Sequence, residues 1–133
     1  MPEQTILIVD DDQDLLVGLT ARLKANGYRV VCATDAISAI SVAREQQPDL
    51  VILDLGLPAG DGFVVLERMK GLAGLAGTPV IVLSARDPAR NKERSLAAGA
   101  VAFFQKPPET HEFLTAIRQA LGETIALSTF LKT

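Results

Sequence analysis

Cysteine is nearly missing from this chain: the single residue, Cys32, excludes an internal disulfide framework. It lies in an apolar stretch, so it is expected to be a buried structural thiol. Tryptophan is absent, and the one histidine is His111. A serine hydrolase is excluded, because Ser84 has no Gly-x-Ser-x-Gly setting and His111 falls in the last helical pattern, where a surface position is expected. No apolar run is long enough to span a bilayer, and the first residues carry no basic stretch followed by an apolar one. A cytoplasmic domain without membrane contact is the expectation. Positive charge is not in excess either, with 13 Lys and Arg against 16 Asp and Glu and a net charge of -3. That argues against nucleic-acid binding by this domain itself. A nucleotide-binding glycine fingerprint is also missing. Gly71, Gly74 and Gly77 precede a strand instead of joining a strand to a helix, and are read as a turn.

What remains is a 133-residue chain with 48% hydrophobic residues, the size of one domain with a buried core. Apolar runs at 6–9, 30–33, 50–53, 80–83 and 100–104 read as short buried strands. Between and after them the apolar spacing turns helical. Leu15, Leu16, Leu19 and Leu23 mark a first helix that Gly27 ends. A second, capped by Asp35, carries Ala36, Ala39, Ile40 and Ala43 and closes at Pro48. A third runs through Val65, Leu66 and Met69, a polar fourth covers about 89–98, and a fifth spans about 109–121 with Phe113, Leu114, Ile117 and Leu121 on one face. Five strand–helix alternations predict an α/β fold with a parallel sheet covered on both faces.

In such a sheet, sites form beyond the carboxyl ends of the strands. Every special polar residue falls there: Asp10, Asp11 and Asp12 after the first strand, Asp54 after the third, Ser84 at the fourth and Lys106 after the fifth. Singly, an aspartate after a strand is usually a helix cap and a lysine is usually solvated surface. Together they form a set of carboxylates, a hydroxyl and an ammonium. Crowded carboxylates require a cation, and hard oxygen donors without imidazole or thiolate select Mg²⁺, with Mn²⁺ as a substitute. A carboxylate can itself attack phosphorus and form an aspartyl phosphate. Such phosphoryl transfer depends mainly on positioning and charge neutralisation, for which Lys106 and Ser84 are suited.

The segments IVDDD, PDLVILDLGLPAGDG, PVIVLSA and FFQKP, in this order and spacing, resemble the signature segments of the response-regulator receiver family. The resemblance covers about residues 6–121. It implies a doubly wound, flavodoxin-like (βα)5 fold with strand order 2-1-3-4-5, occupying residues 1–122, with 123–133 a tail or the start of a linker. It implies Asp54 as phosphoacceptor, Asp10 and Asp11 with Asp54 and the Gly56 carbonyl as Mg²⁺ ligands, and Lys106 and Ser84 as phosphoryl-binding groups. Ser84 and Phe103 become the switch pair, and the Lys106-Pro107 bond is expected to be cis. Partners implied are a histidine kinase or phosphotransfer protein, an output domain or partner at the face of the fourth helix, fifth strand and fifth helix, and a second copy on phosphorylation. The chain departs from the pattern at Gly56, which has no side chain, at Arg86, a position that tunes phosphoryl lifetime in the family, at Phe103, which lacks a tyrosine hydroxyl, and at Pro108. On this reading the chain is a phosphoacceptor switch and not an enzyme acting on other substrates. Two rivals stand beside it: a pseudo-receiver used only as an interaction module, and a haloacid-dehalogenase-type phosphatase built on Asp10 and Asp12. Arg86, Arg90, Lys92 and Arg94 form a basic cluster read as solvated helix surface.

Overall fold

The computed structural model describes residues 3–123. Five strands, β1 (Thr5–Val9), β2 (Arg29–Ala33), β3 (Leu50–Leu53), β4 (Val80–Ser84) and β5 (Ala102–Gln105), alternate with five helices. These are α1 (Gln13–Ala25), α2 (Ala36–Gln46), α3 (Gly62–Gly71), α4 (Pro88–Ala97) and α5 (Thr110–Ala120). The strands are all parallel in the order 2-1-3-4-5. β1, β3 and β4 are buried along their whole length, which explains why they read as continuous apolar runs instead of alternating ones.

Alternation along the strands divides the core in two. Leu7, Val9, Val51, Leu53, Val80 and Val82 face α2 and α3, packing on Ile40, Phe63, Leu66 and Met69. Ile6, Ile8, Leu50, Ile52, Ile81 and Leu83 face α1 and α5, packing on Leu16, Leu23, Phe113 and Ile117. At the edge, Phe103 packs with the first cluster and Phe104 with the second, where its ring meets Phe113 edge-on at 5.3 Å. Each helix starts at an acidic residue whose carboxylate accepts backbone N–H groups of the first turn: Asp12, Asp35, Asp61, Asp87 and Glu109.

Two sequence expectations need correction. Cys32 is exposed, not buried. β2 is an edge strand, and the thiol opens into a groove between it and α1, beside Thr20 and 3.8 Å from its Oγ1. The fifth strand begins at Ala102 instead of Ala100, because Gly99, at φ 110°, and Ala100 donate back to α4 and belong to its end. The expected tail, 123–133, lies outside the described residues beyond Glu123. Tyr28 donates its hydroxyl to Glu123 at 2.8 Å, which ties the end of α5 to the start of β2. Burial and the neighbouring carboxylate push this phenol up to about 12.

One glycine is required by close approach. At Gly62 a Cβ would collide with the carbonyl oxygen of Asp54 and with Cα of Leu55, because the β3–α3 loop folds back and the Gly62 amide donates to Leu55 at 2.8 Å. At Gly56 a Cβ would meet nothing closer than Asp54 Oδ2 at 3.9 Å. Gly62→Ala is therefore expected to lower stability by about 1–3 kcal/mol in urea unfolding, while Gly56→Ala stays within about 0.5 kcal/mol of wild type. Equal midpoints for the two variants would contradict the close approach.

Candidate functional site

The sheet's own hydrogen bonds position the site. The ladder runs one residue past the strands: the amide of Asp10 donates to Ala33, that of Asp54 to Val9, and that of Lys106 to Ser84, at 2.9–3.0 Å. These bonds place Asp10 and Asp54 side by side on the central strands and bring Lys106 in from the edge. The Lys106-Pro107 bond is cis, as expected. Asp10 and Asp54 are 2% and 7% exposed, and Ser84 is fully buried.

Carboxylate oxygens of Asp10, Asp11 and Asp54 all lie within 4.8 Å of one another, with Asp11 exposed at the rim. Lys106 Nζ sits 2.7 Å from Asp10 Oδ2 and 3.6 Å from Asp54 Oδ2. The ammonium therefore pairs more closely with Asp10, the more buried acid, than with Asp54. Burial raises the Asp10 carboxyl above its ordinary range and the charge of Asp54 adds to this. The Lys106 ammonium and the amide of Asp12, which donates to Asp10 Oδ1 at 2.9 Å, offset only part of it. For Lys106, burial favours the neutral amine, but the hydrogen bond to Asp10 and the charge of Asp54 outweigh it, so the ammonium is held above its usual value. Three carboxylates against one ammonium leave an anionic pocket of hard oxygen donors, which fits a divalent cation such as magnesium.

The remaining expected residues fall around this centre. Gly56 lies beside the Asp54 carboxylate and is exposed. Ser84 Oγ accepts the amide of Arg86 at 3.1 Å. Phe103, in register with Val82, is half-buried on the α2–α3 side of the sheet. Asp12 is removed from the chemistry, since its Oδ1 accepts the amides of Asp14 and Leu15 as the α1 cap. This takes the second acid from the phosphatase reading. The basic cluster is also not uniformly solvated: Arg86 pairs with Asp61 at 2.9 Å, and the Arg94 guanidinium lies 3.7 Å over the Phe63 ring. Asp61 and Gly62 were not singled out from sequence as site residues. Gly62 reads as part of the loop after the third strand, and no local signal marks Asp61, whose role as the α3 cap and partner of Arg86 is seen only in the structure.

Comparison with known proteins gives the same answer. Residues 6–118 match the family model described as the response regulator receiver domain. A transcriptional regulatory protein KdpE from Mycobacterium tuberculosis is 41% identical over 91% of this chain and 52% of its own length. The DNA-binding dual master transcriptional regulator RpaA of Synechocystis is 36% identical over 90% and 49%. The chain thus spans about half the length of these curated relatives. Among solved structures, a response regulator from Chloroflexus aurantiacus superposes with a TM-score of 0.86 at 29% identity, covering 92% of this chain and 100% of that one. The receiver domain of the sensor histidine kinase PA1611 from Pseudomonas aeruginosa, solved with a magnesium ion coordinated in its active site cleft, superposes at 0.81 with 28% identity, covering 92% and 100%. A buried acidic pocket closed by a lysine at the carboxyl edge of a 2-1-3-4-5 sheet, together with these matches, places the chain in the response regulator receiver domain family.

Proposed function

We propose that this domain accepts a phosphoryl group on Asp54 from a histidine kinase or phosphotransfer protein and uses it to change the face formed by α4, β5 and α5. The observation that carries this reading is the approach of Asp10, Asp11 and Asp54 within one pocket that a single lysine only partly neutralises. Asp10, Asp11, Asp54 and the Gly56 carbonyl would hold magnesium, which when bound supplies the positive charge that phosphoryl transfer to a carboxylate requires. A carboxylate oxygen of Asp54 attacks phosphorus. The bond from phosphorus to the donor's imidazole nitrogen breaks, and its electron pair leaves with the nitrogen. Lys106 neutralises charge that spreads onto the phosphoryl oxygens, and the Ser84 hydroxyl can donate to one of them. Hydrolysis reverses the label by attack of water on phosphorus, with the Asp54 carboxylate as leaving group. The chain then catalyses only its own phosphorylation and dephosphorylation. A complete acid–lysine–hydroxyl set favours this over an interaction-only module.

Incubation with acetyl phosphate and Mg²⁺ is expected to add one phosphoryl group to the intact mass of wild type and none to Asp54→Ala. A label on Asp10 would sink the assignment.

Metal dependence follows from the charge count. Asp11→Ala removes the exposed acid and should weaken Mg²⁺ binding by on the order of tenfold or more, with labelling slowed and the melting temperature nearly unchanged. Undiminished labelling in excess EDTA would contradict it.

Output is expected to pass through Ser84 and Phe103. A phosphoryl group that draws the Ser84 hydroxyl toward it vacates space into which the Phe103 ring can turn. Coupling of this kind usually amounts to about 1–3 kcal/mol. Ser84→Ala should still be labelled but show smaller amide NMR shifts over α4, β5 and α5. Shifts as large as in wild type would remove Ser84 from the route.

A further inference from the structure

The β3–α3 loop, which follows Asp54, and the β4–α4 loop, which follows Ser84, are joined by one ion pair, Arg86 to Asp61 at 2.9 Å, with both side chains more than a third exposed, at 36% and 40%. Both ends are anchored next to the chemistry. The amide of Arg86 donates to Ser84 Oγ at 3.1 Å, and Asp61 precedes the glycine that packs on the backbone of Asp54 and Leu55. Asp61 has two separate tasks: Oδ1 accepts the Phe63 amide at 2.9 Å as the α3 cap, and Oδ2 takes the guanidinium. Burial would raise its carboxyl, but the Phe63 amide and Arg86 outweigh this and hold it below its ordinary range. The flank of Asp54 on the Gly56 side carries no side chain, since a Cβ there would find only Asp54 Oδ2 within 4 Å. α4 has its own anchor on α3, the stacking of Arg94 on Phe63, so the Arg86 pair can open without freeing the helix.

On the reading that Asp54 is the phosphoacceptor, we propose that Arg86 is a second cation for the phosphoryl group, held in reserve by Asp61 and transferred to the phosphoryl oxygens once they are present. The exchange has a direction. A phosphoryl group carries about -1.5 to -2 and three acceptor oxygens against the single charge of a carboxylate, and a guanidinium binds such oxygens in paired fashion. Because Arg86 lies two residues beyond Ser84, its transfer would also pull the β4–α4 turn toward Asp54 and release the tie to α3. Asp61 is then a positioning residue that competes with the phosphoryl group for one arginine.

Beryllofluoride with Mg²⁺, a stand-in for the phosphoryl group on Asp54, tests this by titration calorimetry. Asp61→Asn keeps an N-cap oxygen but loses the charge, and is expected to bind beryllofluoride about threefold to fivefold more tightly, the scale of one partly exposed ion pair. Arg86→Ala should bind it more weakly by a similar factor. In the double variant the gain from Asp61→Asn should vanish, because there is no arginine left to release. A gain that persists without Arg86 would mean that Asp61 acts only by its bulk charge and would overturn the proposal, as would an Asp61→Asn affinity equal to wild type. Failure of wild type to bind beryllofluoride at all would instead overturn the phosphoacceptor reading on which the proposal rests.

Discussion

Crowding of negative charge at one end of a buried sheet is the constraint around which this domain is organised. Asp10 and Asp54 are almost wholly removed from water, and their backbone amides are locked into the strand ladder, so neither can retreat from the other. Two carboxylates so placed repel each other in a medium that screens poorly. Lys106 is brought from the far edge of the sheet to lie between them, closer to Asp10. The arrangement is left anionic, and an incompletely compensated pocket of hard oxygen donors is what a divalent cation requires. A fully neutralised triad would be more comfortable and chemically inert.

Aspartate does two kinds of work here, and the distinction is one of depth. Asp12, Asp35, Asp61 and Asp87 cap helices at or near the surface, where a carboxylate accepts first-turn amides and lies favourably at the positive end of the helix dipole. Asp10 and Asp54 lie one residue beyond a strand, before the chain has turned outward. Within the run of three acids after β1 the roles separate completely: Asp10 is buried and paired, Asp11 stands at the rim of the pocket, and Asp12 begins α1.

The loops at the carboxyl edge are also tied to one another. Gly62 lets the β3–α3 loop close on the backbone of Asp54, while Asp61 reaches across to Arg86, whose amide donates to the Ser84 hydroxyl. On the proposed reading, a change of charge at Asp54 would reach the β4–α4 turn by two routes, the Ser84 hydroxyl and the Arg86 guanidinium. Both leave from one short segment at the end of β4. Phe103 stands on the neighbouring strand, directly in register with Val82.

Sequence alone determined the alternation of elements, the helix cap at Asp35, and the placement of Asp10, Asp54, Ser84 and Lys106 at strand ends. These depend on local pattern: apolar runs of strand length, helical spacing and abrupt polar stops. The strand order came from family resemblance, since periodicity does not say which strands pair. What only the tertiary structure decided depends on neighbours distant in the chain. Cys32 reads as buried because its stretch is apolar, yet it is exposed because β2 lies at the sheet edge and the thiol opens into the groove beside α1. Ala100 reads as strand but completes the end of α4, since a glycine in the left-handed region ahead of it turns its amide back to the helix. Gly62 reads as one loop glycine among several, and only its contact with Asp54 distinguishes it from Gly56. The pairing of Arg86 with Asp61, 25 residues apart, has no local signature at all, because an ion pair is specified by where two loops converge in space.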